Sequence, residues 1–168
     1  MATDPIRPTD DQARAMAQGL LHGARHAALA VLDPATGAPS ISRIALQVDA
    51  SGQPVTLISG LAAHTRALAA DPRAALLVGE PGAKGDPLIH PRLSINVRAQ
   101  FMEKGAEHDL LCARWLAIQP KAKLYIDLPD FRFVRLVMTS ALLNGGFGRA
   151  FRLTAADLVS SADPSAPA

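Results

Sequence analysis

Aromatic side chains are scarce in this chain: one Trp, one Tyr and five Phe among 168 residues. A platform for single-stranded nucleic acid needs several exposed rings on which bases stack, so that class is disfavoured. Cysteine is rarer still. Cys112 stands alone, which excludes an internal disulfide and any cysteine-based metal cluster. Charge is nearly balanced at +2 despite a pI near 9.0, and no run of five or six cations marks a nucleic-acid or membrane patch. No apolar run approaches the roughly 20 residues that span a bilayer. The opening MATDPIRPTDD is acidic and proline-broken, unlike a signal peptide. The expectation is a cytoplasmic protein with neither nucleic-acid nor membrane partners.

What the chain has is apolar residues, 49% of the total, enough for one domain with a real core. Residues 1–8 and 160–168 read as disordered tails, and 9–159 as the domain. Thr9 with Gln12 has the spacing of a capping box. Ala13, Met16, Ala17, Leu20, Leu21 and Ala24 then recur at helical spacing. HAALAVLD from His26, SISRIALQV from Ser40 to Val48, and Pro54 to Ile58 read as three strands. Their short Gly, Pro and Asp turns predict an antiparallel meander. A short helix after Ser59 stops at Asp71-Pro72, and a strand runs from Ala74 to Val78. Further on, Arg92 to Met102, Asp130 to Leu143 and Ala150 to Leu153 read as strands, and Ala106 to Ile118 as a helix. Six or seven strands with two or three helices in this order describe a mainly β fold, an antiparallel barrel with flanking helices.

The segment PVTLISGLAAHTRALAADPRAALLV carries the most chemistry. Ser59 ends a strand, and His64, Thr65 and Arg66 lie on the following turn of helix. Ser42 and Arg43 sit on the preceding strand. If the two strands pair, a phosphate would meet hydroxyls, a guanidinium fork and the open N–H groups of a helix terminus. The alternative leaves Ser59 as a helix cap and Arg66 as a solvated charge. The turn Asn144-Gly145-Gly146-Phe147-Gly148 either brings backbone close to a flat ligand or is a sharp turn with a core Phe.

Metal and covalent catalysis have thinner support. His22 and His26, and likewise His108 and Cys112, are four residues apart, yet neither pair has a clear third ligand. There is no GxSxG elbow. Asp127 and Asp130 flank a proline and read as turn-formers. His90 precedes a core strand, in a position either to face the pocket or to serve the loop.

The string LISGLAAHTRALAADPRAALLV, followed by DPLIHPRLS, DFRFVRL and GGFGRA, closely resembles the haem-utilisation (HugZ-type) branch of the pyridoxamine 5′-phosphate oxidase-like, FMN-binding split-barrel superfamily. The likeness runs from about Ala13 to Leu158. It implies a six-stranded antiparallel split barrel and a homodimer whose ligand site lies between subunits. It also implies FMN held by Ser42, Arg43, Ser59, His64, Thr65 and Arg66, with Gly146 and Phe147 near the isoalloxazine ring. The activity implied is an oxidoreductase acting on an unidentified small molecule. Two alternatives come with the resemblance: a haem-binding or haem-degrading protein of the HugZ type, and a non-enzymatic binding protein that has lost flavin. This chain departs from the pattern at Asn96-Val97, where the family often has glycine. It also has no histidine after His108, whereas haem-degrading relatives have further C-terminal sequence that can supply an axial ligand.

Overall fold

A computed structural model describes residues 6–159. Ile6–Arg7 (β1) already belongs to the sheet, pairing in parallel with the last strand, so the domain begins inside the segment read as a tail; residues 1–5 and 160–168 lie outside the described residues. The first helix, Asp11–Gly23 (α1), is capped by Asp10, whose carboxylate accepts from the Ala13 N–H at 2.7 Å. The cap falls one residue later than the sequence suggests, because the Thr9 hydroxyl donates to the Arg152 carbonyl instead. Ala13, Ala17 and Leu21, four residues apart, form the buried stripe of α1.

His26–Leu32 (β2) pairs antiparallel with Pro39–Ala45 (β3). The single strand expected over Ser40–Val48 is broken at Leu46, which is fully buried and donates its N–H to the Arg25 carbonyl. Gln47–Val48 (β4) then turns onto Pro54–Ser59 (β5). After Ala63–Ala70 (α2), Arg73–Val78 (β6) lies between β2 and Arg92–Phe101 (β7). Ala106–Ile118 (α3) precedes Phe131–Asn144 (β8), which is followed by Ala150–Thr154 (β9) and the short helix Ala155–Leu158 (α4).

The expected three-strand meander holds in part: Pro39–Ala45 pairs with β2, and Gln47–Val48, the end of the same expected strand, pairs antiparallel with β5. β5 does not pair with β3 itself; its main partner is β8, from Val55↔Arg135 to Ser59↔Phe131. The break at Leu46 is the cause, since it lets β3 stay on β2 while the chain carries on to β5. The ring β2, β3–β4, β5, β8, β7, β6 is the six-stranded barrel expected from sequence. It is split between β3 and β5, where the covalent chain and not a hydrogen-bonded ladder makes the connection. β9 and β1 continue the sheet beside the second half of β8.

Long β8 serves both halves because its first residues pair with β5 and its last with β9. Its register against β7 slips at Asn96/Val97. There Thr139 donates to the Asn96 carbonyl and the Asn96 amide donates to Ser140 Oγ. The position that departs from the family pattern is therefore a β-bulge closed by its own side chains.

Two cores result. Leu29, Ile44, Leu76, Ile95, Leu136 and Leu143 fill the barrel, with α1 against them. On the other side of β5 and β8, Val55, Leu57 and Phe133 pack on Leu111 and Trp115 of α3, with Trp115 edge-on to Phe133 at 5.4 Å. β5 is buried from Pro54 to Ile58 because it faces both.

Candidate functional site

The register Ser59↔Phe131 places Asp130 beside Gly60. The Gly60 N–H donates to the Asp130 carbonyl at 2.6 Å, and a Cβ on Gly60 would stand 3.2 Å from that oxygen. Glycine is what lets the two chains approach this closely. The Asp130 side chain turns back to the strand end, where the Ser59 hydroxyl donates to its Oδ2 at 2.5 Å. Ser59 Oγ accepts in turn from the Leu61 N–H at 3.1 Å.

Helix α2 begins just beyond. Its N-cap is Ala62, which has no side-chain bond to offer, so Ser59 does not cap it. Among the described residues the Ala63 and His64 N–H groups have no partner, as helix geometry dictates for a first turn without a cap. Thr65 is buried and donates its hydroxyl to the Ser59 carbonyl at 2.6 Å. Arg66 reaches back to the Leu61 carbonyl at 2.8 Å. On the opposite side of the helix, His64 Nδ1 lies 3.0 Å from Ser42 Oγ, and burial pushes the imidazole below its ordinary pKa. His64 is thereby held neutral at neutral pH.

A cleft of about 340 Å³ opens under α2, lined by Gly60, Thr65, Arg66, Ala69, Phe101 and Arg132. The Arg132 guanidinium lies over the Phe101 ring, 4.7 Å from its centroid, with Glu103 3.8 Å away. The site therefore combines two guanidinium groups and two open helical N–H groups with the carboxylate of Asp130.

Ser42, Ser59, His64, Thr65 and Arg66 are thus brought to one place, around the first turn of α2. Arg43 is not. Successive strand residues point to opposite faces; Ser42 pairs with buried Leu29 and turns inward, whereas Arg43 pairs with Ala28 and is exposed on the outside. Gly146 and Phe147 are also apart from the α2 cluster within one chain. Gly146, at φ +110°, packs against the Ile89 carbonyl, and Phe147 is 95% exposed at the tip of its turn, so it is no core residue. His90 serves its loop, with Nε2 2.9 Å from the Lys84 carbonyl.

Sequence reasoning missed Asp130 and Arg132 as site residues. Both lie at the start of DFRFVRL, and only the β5–β8 register, which no local pattern encodes, brings them to Ser59. Of the remaining titratable pairs, His26 faces Glu80 at 3.7 Å, and Cys112 lies 3.7 Å from His108 with its thiol pKa raised by burial. Among the described residues no group of three His, Cys, Asp or Glu is placed to hold a metal ion. No helix among them is long and apolar enough to cross a membrane.

The fit to FMN turns on its phosphate. Of the three hydroxyls expected to hold it, Ser59 and Thr65 donate to protein acceptors, one of them the Asp130 carboxylate, and Ser42 is engaged with His64. As arranged, the site does not fit a phosphate dianion.

Comparison with known proteins matches these features to relatives. A solved chain 57% identical to this one aligns over 91% of it and 99% of that chain, with a TM-score of 0.83. A protein of unknown function from Agrobacterium tumefaciens is 35% identical over 94% of this chain and 66% of its own, with a TM-score of 0.78. A haem-binding protein from Mycobacterium smegmatis is 31% identical over 91% of this chain and 61% of its own, with a TM-score of 0.76. The chloroplastic non-canonical haem oxygenase of Arabidopsis thaliana is 34% identical over 102 residues, 60% of this chain and 30% of that protein. The chain thus spans under a third of the plant protein and about two-thirds of the two named bacterial ones. The family sequence model of pyridoxamine 5′-phosphate oxidase matches residues 13–143, and this chain belongs to that family.

Proposed function

We propose that this protein binds haem at the α2 site, in preference to serving as an FMN-dependent oxidoreductase. The observation that carries the reading is the Ser42–His64 pair: a partly buried imidazole kept neutral, with Nδ1 engaged by a hydroxyl at 3.0 Å. Neutral imidazole is the form that ligates iron, and in the tautomer whose Nδ1–H donates to Ser42 Oγ the Nε2 lone pair is the one left for a metal. Support also comes from the two relatives above 30% identity that are described as haem proteins. When bound, haem supplies an iron centre for oxygen and electron chemistry. The protein's own part is to hold His64 neutral and orient it through Ser42.

Titration of the purified protein with haemin tests this. The expected result is a saturable Soret band, whose position or affinity changes in His64→Ala but not in His90→Ala. Absence of a Soret band in the wild type sinks the reading. An unchanged spectrum and affinity in a folded His64→Ala variant removes His64 as the ligand.

A further inference from the structure

We infer that Asp130 is a specificity-determining residue: its carboxylate engages the Ser59 hydroxyl that a split-barrel site of this construction would turn to a flavin phosphate, and so disfavours phosphate-bearing flavins. The inference deepens the reading of the α2 site given above, but it stands on different contacts.

The seat is built from the end of β5 and the first turn of α2. An anion there would look to Ser59, Thr65, the open N–H groups of Ala63 and His64, and Arg66. Asp130 is delivered to the same place by the β5–β8 register and pinned by the Gly60 N–H on its carbonyl. Its Oδ2 accepts a hydrogen bond from the Ser59 hydroxyl at 2.5 Å, a short charge-assisted bond. Thr65 has its proton on the Ser59 carbonyl. Neither hydroxyl has a donor left for a phosphate oxygen. A phosphate monoester carries about −1.5 to −2 charges at neutral pH, and like charges brought together in a partly buried site repel strongly. The protein has supplied its own anion, and the fixed carboxylate repels a second one.

Because the exclusion is carried by one charge, it is reversible by one substitution. Asp130→Asn keeps the shape and an acceptor for Ser59, removes the charge and adds two N–H donors. The test is titration of FMN and, separately, of riboflavin, the same ring system without phosphate, followed by flavin fluorescence. Wild type, Asp130→Asn and Asp130→Ser are compared, each checked for folding by circular dichroism. The expected result is that wild type shows no preference for FMN over riboflavin. Both variants gain FMN affinity by at least about tenfold with riboflavin affinity unchanged.

A wild type that already prefers FMN by that factor overturns the inference. So does a folded variant that gains no preference. Haemin titration of the same proteins reports separately on the haem reading: its failure there leaves the flavin comparison intact, and the reverse holds as well.

Discussion

Ser42 and His64 are 22 positions apart, and their contact joins β3 to the first turn of α2. Burial is what lowers the His64 pKa, so the imidazole resists protonation in the folded protein and takes a proton at its ordinary value once unfolded. Between those two values the unfolded chain binds more protons than the native one. The contribution of His64 to stability is therefore complete above the ordinary histidine pKa and declines as pH falls through the window towards the folded value. Thermal melting of wild type and His64→Gln across mildly acid pH checks this. The expected outcome is a wild-type midpoint that drops more steeply on acidification than that of the variant. Parallel curves would show that His64 does not titrate differently on folding. The same protonation removes the lone pair needed for a metal, so haem affinity is expected to fall in the same window.

At the scale of elements, Arg135 on β8 ties two distant parts together through a pair of carboxylates. Its Nε donates to Asp49 at 2.7 Å, and its Nη2 to Glu107 at the start of α3. Asp49 is 8% exposed and also accepts from the Ser51 N–H and hydroxyl and the Gln53 N–H, so it closes the β4–β5 turn. Burial raises the Asp49 pKa, but the bonds from Ser51 and Arg135 outweigh it, and the net shift is downward. Removing the guanidinium leaves a buried carboxylate without its cation. Arg135→Met is expected to cost about 3 kcal/mol, read as a lowered denaturant midpoint at unchanged slope. Arg73→Ala makes the contrast. Asp71 is held down to about 2, chiefly by its bond from Arg73, but that pair is solvent-exposed, and its loss is expected to leave the midpoint unchanged.

The same joint shows what was legible in the sequence. Asp49-Ala50-Ser51-Gly52 is a plain turn signal, and β8 and α3 are plain from their apolar patterns. That Asp49 and Arg135 meet, like Ser59 and Asp130, follows from β5 pairing with β8, a long-range choice made by burial on both faces of β5. The break at Leu46 likewise hides in a continuous β-forming run, because a strand bend driven by tertiary burial leaves no turn residue behind. Arg43 shows the opposite limit: alternation along a strand separates it from Ser42, but which of the two faces looks inward is set by the pairing of β3 with β2.

For the whole molecule, the outstanding feature is apolar surface that one chain leaves uncovered. Leu142, Ser94 and Leu77 are register partners across β8, β7 and β6, and both leucines are partly exposed on the outer face. The turn carrying Phe147 is held against Ile89, so that Phe147, Leu88 and Ile89 extend the apolar area beyond the sheet. Exposed apolar groups of this kind suit burial in an interface, and we propose that a second copy of the chain covers them. In a two-fold dimer each substitution counts twice. Burying a Phe ring is worth about 1.5–3 kcal/mol, so Phe147→Ser is expected to weaken association by at least about a hundredfold. Its effect on the stability of the isolated chain should be small, because the ring already lies in solvent there. Sedimentation equilibrium checks both proteins: the wild type is expected as a dimer at micromolar concentration and the variant as a monomer with an unchanged circular dichroism spectrum. A monomeric wild type would remove the dimer, and with it any contribution of Gly146 and Phe147 to a ligand site on a second subunit. A variant that stays dimeric would move the interface away from this turn.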